Sequence, residues 1–309
     1  MRASSTPCVS VAARVSQSTT HIAVFFGWEA RSIPSVVGIA LSWRAMSALE
    51  AVASWLRCPN CGSSLPCVNG HRFDVARQGY VSLLGGRTVR GDTAEMVAAR
   101  EAFLSAGHFE PIRRAVAGST DGLAVELGAG TAYYLAAAVG DGYGIALDSS
   151  KPALKRAARA HPRIAAVACD VWAGLPLQDG VADLVLDVFA PRNGDEIARV
   201  LKPGGTLVVV TPTDEHLKEL RATLGLLDVD PRKAERLQSL PLAHMSHQRL
   251  DFALALSHDD VRNLVAMGPN AHHVGEVSLD GLPDPAAVTG SVAIDHFRQA
   301  GGEVVRPGA

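Results

Sequence analysis

No charge of either sign is in surplus: 29 Lys and Arg stand against 31 Asp and Glu, for a net charge of −2. A polycation that coats nucleic acid with its whole surface is thereby excluded, while a local basic face is not. Aromatic residues are few, yet 48% of the chain is apolar, so 309 residues can bury a real core as one large domain or two ordinary ones. Long hydrophobic runs are missing. The apolar stretches 22–28 and 36–43 fall well short of the roughly 20 residues that span a membrane. Neither offers the continuous apolar core and small-residue cleavage site of a signal peptide. Cysteine is scarce and odd in number: Cys8, Cys58, Cys61, Cys67 and Cys169. Three of them cluster near a histidine, which argues against a disulfide framework and for a reducing, cytoplasmic compartment. No internal repeat is present.

Residues 1–45 differ from the rest. Their only acidic residue is Glu29, and 4–20 is rich in Ser, Thr and Ala. They read as a disordered or non-physiological extension, with Met46 as the expected start. Recovery of peptides from 1–45 by mapping of the native protein would remove that reading.

What is there begins with Cys58-Pro59-Asn60-Cys61, followed by Cys67 and His71. The spacing Cys-x2-Cys-x5-Cys-x3-His fits a structural zinc knuckle, because zinc takes four tetrahedral sulfur and nitrogen ligands and a tight turn can present two thiolates together. The bland alternative leaves Cys67 as a buried free thiol. Residues 46–56 suit a short helix leading into this module, and 79–84 a strand. A polar Gly- and Arg-bearing link follows at 85–92. Helical spacing is expected over 93–106 and 111–117.

From residue 123 onward strand and helix patterns alternate. Strands are expected at 123–127, 143–147, 164–168, 182–188 and 206–211. Helices are expected at 133–139, 152–160, 195–201, 217–224 and 259–267. Two apolar runs, 274–279 and 290–297, would make a terminal strand pair. This alternation implies an α/β fold with a mostly parallel sheet covered by helices on both faces. The expected division is 1–45 extension, 46–92 zinc-binding module with linker, and 93–309 cofactor domain.

Gly128 and Gly130 directly follow the first strand of the alternating part. Glycine there lets the backbone turn sharply and approach a ligand. The third glycine of a full dinucleotide fingerprint is absent; Ala132 follows Thr131. Asp148 ends the next strand, where a carboxylate can accept from both ribose hydroxyls of an adenosine cofactor. Lys202-Pro203-Gly204-Gly205 precedes the strand at 206–211. Together these features look like the class I S-adenosylmethionine (SAM)-dependent methyltransferase fold, Rossmann-like with an antiparallel terminal strand. That likeness places Glu126 near the methionine amino end of the cofactor, and Asp170, with Leu175, near the adenine. A Rossmann dehydrogenase competes, but it does not predict the Lys-Pro-Gly-Gly turn or a terminal antiparallel pair.

Longer motifs sharpen the resemblance. They include Gly70-His71-Arg72-Phe73-Asp74, Gly79-Tyr80-Val81-Ser82-Leu83-Leu84, Gly91-Asp92-Thr93-Ala94-Glu95-Met96, Phe189-Ala190-Pro191, and Thr211-Pro212-Thr213-Asp214-Glu215-His216. From Cys58 onward the chain resembles the bacterial 23S rRNA (guanine-N1)-methyltransferase family, which includes tylosin-resistance enzymes. The resemblance implies zinc on Cys58, Cys61, Cys67 and His71, and cofactor contacts from Phe109, Gly130, Thr131 and His216. It implies 23S rRNA as substrate, no membrane, and a homodimer. Two departures stand out: the Cys61–Cys67 loop is short for the family, and Ala132 replaces an expected glycine. Arg72, Arg77, Arg87, Arg90 and Arg100 put basic charge on and near the zinc module, where phosphate contacts are useful.

The implied reaction moves a methyl group to guanine N1. That nitrogen is protonated in the neutral base, so an acceptor for its proton is expected. N1 lies on the Watson–Crick edge, so the guanine must be unpaired or flipped. Asp187, Phe189 and Pro191 are candidates at the end of the strand 182–188, with Asp187 as the base. Two other readings compete: a small-molecule methyltransferase whose knuckle is purely structural, and a non-catalytic zinc-containing RNA-binding protein. The intact Gly128, Gly130 and Asp148 set disfavours the second, and the arginine-bearing link disfavours the first.

Overall fold

A computed structural model describes residues 47–118, 120–228, 237–272 and 278–300. The 1–45 extension lies outside these residues. Ser47 opens helix α1 (Ala48–Val52) through a capping box shared with Glu50. The metal-ligand segment follows, and then strand β1 (Tyr80–Ser82). Thr93 caps α2 (Ala94–Ser105), its side chain accepting from the Met96 N–H. Next come α3 (Glu110–Ala115), β2 (Leu123–Leu127), α4 (Leu135–Ala138), β3 (Tyr143–Asp148), α5 (Lys151–Ala160) and β4 (Ile164–Ala168). After them run β5 (Ala182–Val188), α6 (Gly194–Val200), β6 (Leu201–Pro212), α7 (Lys218–Leu224), β7 (Ala243–Leu256), α8 (His258–Ala266) and β8 (Ala286–Arg298).

One eight-stranded sheet runs in the order β1-β4-β3-β2-β5-β6-β8-β7. The first six are mutually parallel, and β8 is antiparallel to both β6 and β7. Every residue of β2 and β4 is buried, which accounts for the unbroken apolar run of β4 and for a β2 that is apolar except at Glu126: a parallel strand covered on both faces has no solvent side to alternate toward. One face packs Phe103, Ile112, Leu135 and Leu154 beneath α2 to α5. The other packs Val52, Leu56, Ile197 and Val200 beneath α1 and α6. β1 pairs with β4, Val81 standing opposite Val167. Thus a strand that the sequence associates with the zinc segment stands at the edge of the large sheet, and the described residues belong to one compact unit. No described helix is long and apolar enough to cross a membrane.

Three expectations are corrected. The partner of β8 is β7, in register from Ala243↔Arg298 to Leu256↔Ala286, not the run 274–279. With β6 and β7 on its two sides, β8 has no place for that run. Residues 274–277 lie outside the described residues, and Leu279 is not in a strand. The helix expected over 133–139 shrinks to Leu135–Ala138, because Ala132 takes φ +60° and Val139 leaves in an extended conformation. Lys202-Pro203-Gly204-Gly205 is an excursion inside β6: pairing with β5 jumps from Ala182↔Leu201 to Leu184↔Thr206, with Gly204 at φ +79°.

Chain order and sheet order diverge at β2, which has β3 on one side and β5 on the other. Connections leave in opposite directions there, opening a crevice at the carboxyl ends of the strands.

Candidate active site and metal centre

That crevice is a cavity of about 560 Å³. Gly128 and Gly130 form its floor at φ +56° and +54°. A Cβ on Gly128 would lie 2.9 Å from the Ala190 Cβ, so the turn after β2 and the loop after β5 can approach this closely only through glycine. The Gly130 N–H donates to Asp148 Oδ2 at 2.8 Å, and the Ser150 N–H donates to Oδ1 at 2.7 Å. Asp148 therefore ties the glycine turn to the end of β3. Burial raises its pKa, while those two N–H bonds oppose the shift. Ala132, fully buried, holds the left-handed conformation that a glycine would take without strain.

Glu126 points into the cavity from β2. It is 2% exposed, and one oxygen accepts from the Leu135 N–H at 3.1 Å. Burial pushes its carboxyl well above the usual carboxylate range, and the nearby charges of Asp148 and Asp187 push the same way. Across the site, Asp170 follows β4 and accepts from the Trp172 N–H at 3.0 Å.

The opposite wall is aromatic. Phe109, Phe189 and His216 surround one another with ring-centre separations of 5.9 to 6.1 Å. His216 is buried, and its Nδ1 accepts from the Ser291 N–H at 3.1 Å, so the neutral ring carries its proton on Nε2. Phe189 lies in the left-handed region at φ +56° yet leaves 39% of itself exposed. A bulky residue held there is a strained conformation of the kind that clusters at binding sites.

Phe109, Glu126, Gly128, Gly130, Thr131, Asp148, Asp170 and His216 all line this one cavity. Asp187 does not. It is fully buried at the end of β5, with Oδ2 accepting from Arg192 Nε at 2.8 Å and Oδ1 from the Ala190 N–H at 3.3 Å. Arg100 also differs from its expected place among phosphate-facing arginines. It bonds Asp92 at 2.6 Å and the Met267 carbonyl at 2.7 Å, pinning the 85–92 link and the end of α8 over the cavity. Sequence reasoning missed this roof. Gly91 was its available signal: a Cβ there would come within 2.8 Å of the Ser150 backbone nitrogen, and Ser150 Oγ donates to the Asp92 carbonyl at 2.7 Å.

Ahead of β1 in the chain, the sulfurs of Cys58, Cys61 and Cys67 and a ring nitrogen of His71 lie within 4.8 Å of one another. Cys61 and Cys67 sulfurs are 3.3 Å apart, and His71 Nδ1 is 3.4 Å from Cys67 and 3.6 Å from Cys58. A tetrahedral zinc with bonds of about 2.3 Å to sulfur has edges of roughly 3.7 Å, so the donor set fits that ion. Gly62, at φ +78°, donates its N–H to the Cys58 carbonyl at 2.8 Å and folds the first two thiols onto one turn. A hydrogen bond from Asn69 is the main influence holding the Cys61 thiol down to about 5, which favours the thiolate that a metal needs. All four ligands are protein groups, as in a closed structural site.

Comparison with known proteins agrees with this geometry. Residues 125–209 match the family model described as a methyltransferase domain. Over 288 residues the chain is 46% identical to a protein of Micromonospora griseorubida provisionally named 23S rRNA (guanine-N1)-methyltransferase, covering 79% of this chain and 97% of that one. Identity is 47% over 244 residues to the 23S rRNA (guanine(748)-N1)-methyltransferase of Streptomyces fradiae, covering 72% and 87%. A Bacillus subtilis relative with the same provisional name as the first is 30% identical over 249 residues, covering 71% and 87%. Identities of this size across nearly the whole of each relative place the chain in the 23S rRNA (guanine-N1)-methyltransferase family.

Proposed function

We propose that the chain transfers the methyl group of S-adenosylmethionine to N1 of a hairpin-loop guanine in 23S rRNA, in the cytoplasm. The observation that carries this reading is a single cavity at the strand ends, with buried carboxylates on one wall and an aromatic cluster on the other. The residues present suit the cofactor. Glu126 is a buried carboxyl whose ionised form has no cationic partner among the described residues, and an ammonium group supplies one. Asp148 spends one lone pair of each oxygen on backbone N–H groups and keeps others for ribose hydroxyls. Gly128, Gly130 and Thr131 allow close backbone approach, and Asp170 faces the adenine side.

When bound, S-adenosylmethionine supplies an activated methyl group on a sulfonium. The protein's part is to present N1 in line with it and exclude water. Phe189, strained and exposed, offers a face on which an unpaired guanine stacks, with Phe109 and His216 behind it. Asp187 serves this loop as an anchor: through Arg192 and the Ala190 N–H it holds Phe189-Ala190-Pro191 against the end of β5. The zinc ligands would stabilise residues 46–92 as the RNA-reading segment, with Arg72, Arg77, Arg87 and Arg90 exposed on it. We extend the reading to a homodimer, to be tested by sedimentation of the full chain.

The deciding experiment incubates the purified chain and S-adenosylmethionine with unmodified 23S rRNA, then applies primer extension and mass spectrometry. N1 methylation blocks pairing and stops reverse transcriptase. A stop at one hairpin guanine with the mass of one added methyl is expected. Cofactor binding with no stop and no added mass would favour a small-molecule methyltransferase instead.

A further inference from the structure

An isolated exposed apolar residue on a protein surface is ordinary, but Trp172 is not placed as one. It is 66% exposed on a short turn after β4. Its backbone is fixed by the bond from its own N–H to Asp170 Oδ1. The residue belongs to two cavities at once: the one of about 560 Å³ just described, and a second of about 650 Å³ between the metal-ligand turn and the β4–β5 connection. The second is lined by Asn60 of that turn and by Arg87, while Arg90 lines the first. Both arginines are exposed. Of the three carboxylates on the second cavity's wall, Glu196 is neutralised by Arg199 with bonds of 2.7 Å, Asp170 accepts from the Trp172 N–H, and Asp195 is exposed at the rim. A path therefore leads from Phe189, past Trp172, to the metal-ligand turn, with an arginine beside each cavity.

We infer that Trp172 is a stacking platform for an unpaired nucleotide adjacent to the methylated guanine, so that the RNA loop lies across both cavities. This rests on the rRNA methyltransferase reading. Single-stranded RNA is recognised by splaying bases onto aromatic faces while cations hold the phosphates. Phe189 takes the target base, Trp172 takes a neighbour, and Arg87 and Arg90 neutralise the backbone between them. The rival role for Trp172 is to cover the cofactor's adenine, since Asp170 is two residues away.

The test compares full-length wild type, W172A and W172F in methylation of a hairpin fragment of 23S rRNA, with calorimetric binding of S-adenosylmethionine alongside. Stacking on RNA predicts a rise of about tenfold in the RNA KM of W172A, a much smaller change in kcat, cofactor affinity within about twofold, and recovery of most of the loss in W172F. A hairpin with 2-aminopurine beside the target guanine should lose fluorescence on binding wild type and not W172A. An unchanged RNA KM in W172A overturns the inference, as does a loss that tracks weakened cofactor binding. Wild type that neither binds nor methylates the hairpin would instead defeat the underlying reading, and the inference with it.

Discussion

Glu126 shows how one side chain couples pH, stability and ligand. Burial lifts its pKa well above the ordinary carboxylate range. The folded chain then keeps a proton that the unfolded chain has released, so stability falls as pH rises from the ordinary carboxylate value toward the raised one. Glu126→Gln keeps an acceptor for the Leu135 N–H and removes that slope. Thermal melts of the ligand-free variant should match the parent near about pH 4 and exceed it near about pH 8. Its affinity for S-adenosylmethionine should drop about tenfold or more, because a hydrogen bond to a charged group is worth about 1.5–3 kcal/mol. Undiminished affinity would remove Glu126 from the cofactor's binding. Asp187 makes a different point. A carboxylate at a strand end was readable as a proton acceptor, but its pairing with Arg192 depends on a loop conformation that no spacing rule encodes. Asp187→Asn strands a largely buried guanidinium and should cost about 3 kcal/mol in urea melts. As an anchor, it should leave the acid limb of the pH–rate profile in place. Loss of that limb would restore Asp187 as the base.

The elements that could be read from sequence are those whose local pattern and tertiary surroundings agree. Buried β4 is an unbroken apolar run, β2 is one except at Glu126, and α5 places Ala153, Leu154 and Ala157 on one face. Strand β7 was missed because its first half, including His244, Ser246, His247, Gln248 and Arg249, is exposed at the sheet edge and polar. The period-two signal existed only in Leu250, Phe252, Leu254 and Leu256. Of the expected cofactor residues, Gly128, Gly130, Thr131, Asp170 and His216 come after strands and Asp148 ends one, where topology rather than packing decides their neighbours; Glu126 lies inside β2 and Phe109 caps α3. The roof formed by Gly91, Asp92 and Arg100 was hidden because its contacts join segments far apart in the chain. The metal-ligand segment was legible from spacing alone, and it carries a prediction at this scale. One zinc per chain should be found by elemental analysis. Stripping it with a strong chelator should lower Tm and raise hydrogen exchange from Cys58 through Gly79. Exchange in β1 should rise too, since that edge strand is only three residues long. Unaltered exchange in β1 would show that the knuckle does not support it.

For the whole molecule, a net charge of −2 demands that RNA affinity come from a local face. Arg72, Arg77, Arg87 and Arg90 are exposed on or near the link, and on the proposed reading they would neutralise up to four phosphates. The slope of log affinity against log salt should then be about −3 for single-stranded RNA, and the double variant R87A/R90A should flatten it to roughly half. A slope near zero would mean that RNA is held without these arginines. The sheet order has a consequence of another kind. β8, nearly the last described segment of the chain, lies between β6 and β7. Ribosomes make proteins from the N-terminus, so β6 and β7 are both synthesised before the strand that joins them. Until residues 286–298 emerge, β6 and β7 each present an unpaired row of backbone donors and acceptors, the template on which strands from separate chains associate. A chain that stops short of residue 286 would carry a sheet missing an interior strand rather than a frayed border, and would be prey to aggregation and proteolysis.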